Sequence, residues 1–153
     1  MKSSSADMTS FEEQVLINAP VSTVWEALTH VERMQEWMGE PDMLLKIETD
    51  WQVGNRFVVR GRHHMDFQNT GTVREFDPMR RLAYTHLSSL SRLPDNPENH
   101  AVIDFHLAPA QGATSLKLSI ASPRSANIFE HLQFYWQGTL QVLKQYVEQR
   151  NEA

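Results

Sequence analysis

The 153-residue sequence contains no cysteine, so it can form no disulfide, no thiolate metal site and no cysteine nucleophile. It also lacks any stretch approaching the ~20 apolar residues of a membrane-spanning helix. The polar residues Met1 to Ser10 have no apolar core of the kind a secretory signal needs. Positive charge is scarce as well: 14 Lys and Arg stand against 19 Asp and Glu, for a formal net charge of -5. Such a balance repels phosphate backbones unless the basic residues are segregated. Arg56, Arg60, Arg62, Arg74, Arg80 and Arg81 are interrupted by acidic and apolar residues, which argues against a nucleic-acid partner. No internal repeat or low-complexity tract is present. The composition is that of a cytoplasmic protein with a short disordered leader at residues 1–10 and one domain at residues 11–150. A chain of this size hides roughly 70% of its unfolded surface and needs no covalent staple.

What is present begins with the last thirty residues. From Ser122-Pro123 onward, Phe129, Leu132, Trp136, Leu140, Leu143 and Val147 recur at steps of three and four, the spacing of a single helix face. Gln133, Gln137, Gln141, Lys144, Gln145 and Glu148 fall on the other side, so this long helix must lie on something. Upstream, Phe11 to Asn18 alternates as a first strand. Ala19-Pro20 stops it, and Pro20 is suited to begin a helix. Val21, Val24, Trp25 and Leu28 then carry one short helix, and Val31, Met34 and Trp37 a second, ended by Gly39 and Pro41.

Six further strands are predicted, at Met43 to Thr49, Phe57 to His63, Thr70 to Phe76, Leu82 to Leu87, Ala101 to Leu107 and Thr114 to Ile120. Gly54-Asn55, Asp77-Pro78 and Ala110-Gln111-Gly112 supply turns, and Ser88 to Asn99 is the longest loop. Close turns favour antiparallel neighbours. The class is therefore α+β, with seven strands around an amphipathic C-terminal helix.

Several of these segments resemble the activator-of-heat-shock-protein-ATPase homologues, a branch of the START-like (SRPBCC) superfamily. The resemblance covers Val15 to Glu148. It is carried by Ala19-Pro20-Val21, Val24-Trp25-x-Ala27-Leu28, Trp37, Val53-Gly54, Gly71-Thr72-Val73-Arg74-Glu75-Phe76-Asp77-Pro78 and Arg81-Leu82-Ala83-Tyr84-Thr85. Phe105 with Leu107, Thr114-Ser115-Leu116, and Trp136 with Leu140 and Leu143 complete it. The resemblance implies a helix-grip fold, a seven-stranded antiparallel sheet wrapped around the C-terminal helix and closed at one end by the two short helices. Two positions depart from the pattern. Asn55 stands where a second glycine is common, an exchange that asparagine tolerates because it too visits the left-handed region. His86 stands where many relatives carry tryptophan, and it puts a titratable ring in place of an apolar plane.

Histidine is the usual acid-base group near neutral pH and the commonest metal ligand, and the chain has seven. None shows metal-helix spacing. As neighbours on a strand, His63 and His64 point to opposite faces, so no metal or other cofactor is expected. Leu82, Tyr84 and His86 share a face, as do Ile103, Phe105 and Leu107, which leaves Asp104 and His106 facing water. His86 is read either as a buried histidine hydrogen-bonded to a neighbour or as the polar group that orients a ligand. His63 shares a side with Phe57 and Val59. Trp25, Trp37, Tyr135 and Trp136 form either core or an aromatic box, and Phe67 and Met65 line the mouth. Glu75 and Asp77 beside Arg80 and Arg81 read as a turn salt bridge.

The function expected first is binding of a small apolar or aromatic molecule between sheet and helix by Trp37, Phe57, Val59, His63, Phe67, Tyr84, His86, Phe105, Leu132 and Trp136. A polyketide-cyclase-like enzyme using His86, His63 and Tyr84 is the alternative, and a chaperone-interacting module a third. The oligomeric state is left open between monomer and homodimer.

Overall fold

Alternation along the strands decides which side of the sheet meets the helix. The computed structural model describes residues 8–123 and 128–152. Strand β1 (Met8–Ile17) buries Val15 and Ile17 while Gln14 and Leu16 stay exposed. It starts ahead of the expected Phe11 because Met8, Thr9 and Ser10 pair with Pro123, Ser122 and Ala121 of the last strand. Helix α1 (Val21–Thr29) follows Pro20, whose φ of -64° suits a helix start. It buries Val24, Trp25, Ala27 and Leu28, and the Thr29 hydroxyl donates to the Trp25 carbonyl at 2.8 Å in its last turn. Helix α2 (Val31–Trp37) buries Met34 and Trp37. The Trp37 indole N–H donates to the Ala27 carbonyl at 2.9 Å, which fixes α2 against α1.

The remaining strands are β2 (Lys46–Thr49), β3 (Arg56–His63), β4 (Met65–Asp77), β5 (Arg81–Ser88), β6 (Ala101–Ala110) and β7 (Ala113–Pro123). They form one antiparallel sheet in the order β1-β7-β6-β5-β4-β3-β2. Strand β2 is shorter than expected because Pro41–Met43 coil into a single 3-10 turn and Leu44 adopts a left-handed φ of 53°. Strand β4 starts well before the expected Thr70, since the chain reverses at the single residue His64, whose φ is 66°. His64 is thus a turn residue, and its ring lies 4.6 Å from that of His63, centroid to centroid. The expectation that these two rings project to opposite faces fails for that reason.

Gly54 takes the expected positive φ of 94°, but Asn55 does not follow it into the left-handed region. Instead Gly54 N donates to Val73 O at 2.8 Å and Val73 N donates to Asn55 O at 2.9 Å, which tacks the β2–β3 loop onto β4. The last hairpin turns through Gln111 and Gly112, both at positive φ, as its twist requires. The expected ion pairing of Glu75 and Asp77 with Arg80 and Arg81 is not what forms. Arg81 reaches across to the neighbouring strand and grips Asp104 through Nε (3.1 Å) and Nη2 (2.8 Å), and His106 Nε2 lies 3.1 Å from the same carboxylate.

Ser122 and Pro123, expected to open the long helix, close β7 instead. Helix α3 (Ile128–Glu152) buries Leu132, Trp136, Leu140, Leu143 and Val147 against the sheet. Phe129 is half-buried and meets Phe11 edge-on at 5.4 Å. Polar contacts pin the helix beside the outer strand: Lys144 Nζ donates to Leu16 O at 2.7 Å, and Asn18 N donates to Glu148 Oε2 at 2.8 Å. This is the helix-grip arrangement that the resemblance implies.

The sheet bends where β4 and β5 shift register between Val73 and Glu75. Just before that shift, a Cβ added at Gly71 would sit 1.8 Å from the Thr85 carbonyl oxygen. Backbone cannot yield as a side chain does, so Gly71→Ala is expected to destabilise the fold by about 2–4 kcal/mol, read as a lower urea midpoint. Gly138 lies on the exposed side of α3 with open space around it. Gly138→Ala is expected to stabilise by about 1 kcal/mol through helix propensity, measured in the same titration.

Candidate ligand-binding site

Directly opposed residues of an antiparallel pair share a face, so the register defines the wall that looks at α3. Phe57 opposes Gly71, Val59 opposes Asn69, and Gly61 opposes Phe67. Asn69 in turn opposes Ser88, and Val73 opposes Tyr84. Leu82, Tyr84 and His86 oppose Phe105, Ile103 and Ala101. The concave wall is apolar and aromatic over most of its length, and it becomes polar at the end where Asn69, His86 and Ser88 sit.

Trp37, Phe57, Val59, Tyr84, Phe105, Leu132 and Trp136 all lie in one buried cluster. Phe57 and Tyr84 are 4.3 Å apart, and Trp136 meets Phe105 at 5.6 Å and Trp37 at 6.3 Å. Phe67 and His86 are half-buried, whereas His63 is exposed at the β3–β4 tip. Tyr135, beside Trp136 at 5.1 Å, donates its hydroxyl to the Met38 carbonyl at 2.5 Å. These rings fill the middle of the interior. Hollows open outside it, among them one of about 460 Å³ between α1, α2 and the end of α3, and one of about 500 Å³ where β3 runs past the end of β2. The second is lined by Leu44, Gly61 and Phe67 together with Arg60, Arg62 and Ser89.

The sequence reading passed over two residues. Trp51 occupies the polar β2–β3 loop at a left-handed φ of 57°, yet its ring stacks on Phe57 at 5.4 Å and on Phe76 at 5.6 Å. Its indole N–H donates to the Thr29 carbonyl at 2.6 Å, and the ring plugs the end of the interior nearest α1. The available signal was a lone aromatic between Asp50 and Gln52, where Gln52 N closes an Asx turn onto Asp50 Oδ1 at 2.9 Å. Asn69 is the other. Parity from Val73 back through Gly71 puts it on the concave wall, but the predicted strand began one residue too late to include it.

Burial of the ring pulls the His86 pKa down to about 4, and the nearby His100 and His131 add to the shift. Part of the residue keeps contact with solvent, but among the described residues neither ring nitrogen has a hydrogen-bond partner. Burial also raises the Tyr84 hydroxyl and pushes Tyr135 up to about 12. The buried polar side chains among the described residues are threonines and a serine, with no charged group. No three His, Asp or Glu side chains among the described residues converge to hold a metal ion.

The site therefore offers an apolar wall and uncharged polar atoms at one end. Residues 18–148 match the sequence pattern of the family described as Activator of Hsp90 ATPase homolog 1-like protein. The chain belongs to this family. No curated protein matches it. Among solved structures of the same START-like fold, protein CV1439 from Chromobacterium violaceum superposes with a TM-score of 0.77 at 21% identity, over 91% of this chain and 96% of the other. ChR145 from Cytophaga hutchinsonii gives 0.77 at 27% identity, over 95% and 97%. DynU16, a putative protein in the dynemicin biosynthetic locus, gives 0.70 at 22% identity, over 93% of this chain and 48% of that one. None of the helices among the described residues is long and apolar enough to cross a membrane. Family membership and fold are consistent with a ligand-binding interior.

The depressed His86 pKa couples stability to pH. An unfolded histidine titrates near 6.5, so the unfolded chain binds the extra proton first as pH falls. The stability contributed by a neutral His86 is fully present above about pH 6.5 and drains away between there and about pH 4. In an NMR titration the His86 ring is expected to stay neutral at pH 5.5. The loss of urea resistance between pH 7 and 4.5 is expected to be smaller in His86→Gln than in the parent.

Proposed function

We propose that the protein binds a small apolar or aromatic molecule between the sheet and α3, at the end of the concave wall that carries His86. The observation that supports this most directly is the wall itself, apolar and aromatic over most of its length and ending in the half-buried, neutral imidazole of His86. A neutral imidazole there offers a ligand one donor and one acceptor. Phe57 and Tyr84 supply ring surface beside it.

The way in lies at the hollow of about 500 Å³, a volume within the range of small-molecule sites. A Cβ added at Gly61 would come within 2.7 Å of both Leu45 Cδ2 and Phe67 Cζ, so these two side chains meet over the glycine. They form a partition between the hollow and the interior that rotamer changes can open. Proton-transfer chemistry has weaker support. An imidazole with a pKa near 4 is a feeble base at pH 7, and His63 sits at the exposed hairpin tip rather than beside Tyr84.

Thermal-shift and native mass spectrometry measurements with a panel of aromatic and fatty molecules test this reading. A true ligand at a hundred times its Kd stabilises by about 2.7 kcal/mol, which for a domain of this size raises Tm by roughly 5–10 °C. His86→Leu is expected to fold and to lose most of that shift. Should no compound move Tm and no mass adduct form, the binding reading is wrong.

A further inference from the structure

Among the described residues every fully buried side-chain nitrogen or oxygen but one has a hydrogen-bond partner. Thr29 donates to Trp25 O and Thr114 to Ala19 O, Ser122 reaches Pro123 O, and Thr85 Oγ1 accepts from Thr72 N. Thr139 has no buried side-chain atom left without a partner. The exception is Asn69 Oδ1, which is buried and has no partner among the described residues.

Its position gives the orphan meaning. Asn69 opposes Val59 on one side and Ser88 on the other, so its side chain belongs to the concave wall. It stands two residues beyond Phe67, on the same face and on the path inward from the hollow. A leucine or valine there would continue the apolar wall at no desolvation cost, whereas the amide oxygen loses its water and receives nothing in return. We propose that Asn69 is a specificity residue, which makes the site prefer uncharged ligands bearing a hydrogen-bond donor, an alcohol, phenol or amide N–H, over carboxylates with the same apolar body. The inference rests on the binding reading above.

Two features of the wall point the same way. A carbonyl oxygen only accepts, so a ligand group must donate to satisfy it. An ionised carboxylate at this depth would meet that oxygen with no buried charged side chain among the described residues to compensate it, since the arginines of the outer hollow, Arg60 and Arg62, are paired with Glu48 and Asp66. Uncompensated burial of an ion is heavily disfavoured. The neutral imidazole of His86 can accept a second donor or give its one N–H to the ligand oxygen.

Equilibrium dialysis near pH 7.5 with matched ligands tests the proposal. One set is 2-naphthol, 2-methoxynaphthalene and 2-naphthoate; the other is 1-decanol, methyl decyl ether and decanoate. In each set the donor-bearing compound is expected to bind about tenfold tighter than the ether, the worth of one hydrogen bond, and the carboxylate at least about a hundredfold weaker than the donor compound. Asn69→Leu is expected to level donor and ether by weakening only the former. Because the orphan oxygen is gone, the same variant is expected to have a higher urea midpoint without ligand, an effect that a purely structural asparagine would reverse. Donor and ether binding equally well to the parent protein would overturn the selectivity and leave the binding reading intact. So would a donor preference that survives Asn69→Leu, or tight carboxylate binding. Absence of binding for all six compounds would remove both. If Asn69→Leu does not fold, the comparison in the parent protein still decides.

Discussion

The structure turns on burying the ridge of α3 against the concave face of the sheet. A helix whose apolar side carries Leu132, Trp136, Leu140, Leu143 and Val147 gains little in water by itself, and most of its stability comes from tertiary packing. A flat sheet would touch such a ridge along a line. To wrap it, the strands must coil, and the coiling is visible in the register shift after Val73 and in the backbone approach at Gly71. The ridge also fixes parity along every strand, because a slip of one residue would turn Leu116, Leu118 and Ile120 toward water.

Closure of the end beside α1 depends on a smaller set of bonds. The last turn of a helix leaves carbonyls without intrahelical partners. In α1 the carbonyls of Ala27 and Thr29 are taken by the indoles of Trp37 and Trp51. Each tryptophan thus satisfies a buried acceptor while laying its ring on the core, a division of labour suited to a side chain with one donor and a large apolar surface. The left-handed backbone at Trp51 costs conformational energy and persists because the ring stacks on Phe57 and Phe76 and the N–H is engaged.

Helical and strand periodicity made the fold legible, since each long element has one face that must be dry. The failures fall where periodicity carries no information. His64 reads as a strand residue because its neighbours alternate, yet a one-residue reversal needs only a positive φ. Ser122-Pro123 looks like a helix start by residue type, but pairing with Met8 and Thr9 extends the strand through it. The candidate site was legible only as a face: parity placed Tyr84, His86 and Phe105 together, and nothing in alternation reveals that Trp51 folds in from a loop. Arg81 and Asp104 lie far apart in sequence, so their pairing depends on which strands are neighbours. Charge proximity along the chain favoured the wrong partners.

A filled interior is compatible with a binding role only if one boundary yields at modest cost, and the two ends differ in this respect. At the α1 end Trp51 is held by a hydrogen bond and by two stacked rings, so moving it would expose an unsatisfied carbonyl of Thr29 along with aromatic surface. At the other end Phe67 and Leu45 meet over Gly61, where no backbone hydrogen bond has to break for a side chain to swing toward the adjoining hollow. The buried polar atom that lacks a partner among the described residues, Asn69 Oδ1, and the half-buried His86 ring lie toward this second end. A ligand entering there would exchange one half-buried ring contact for its own apolar surface and would supply the missing hydrogen bond to Asn69 Oδ1. The free energy of opening is then drawn from contacts made only in the bound state, as a population shift requires.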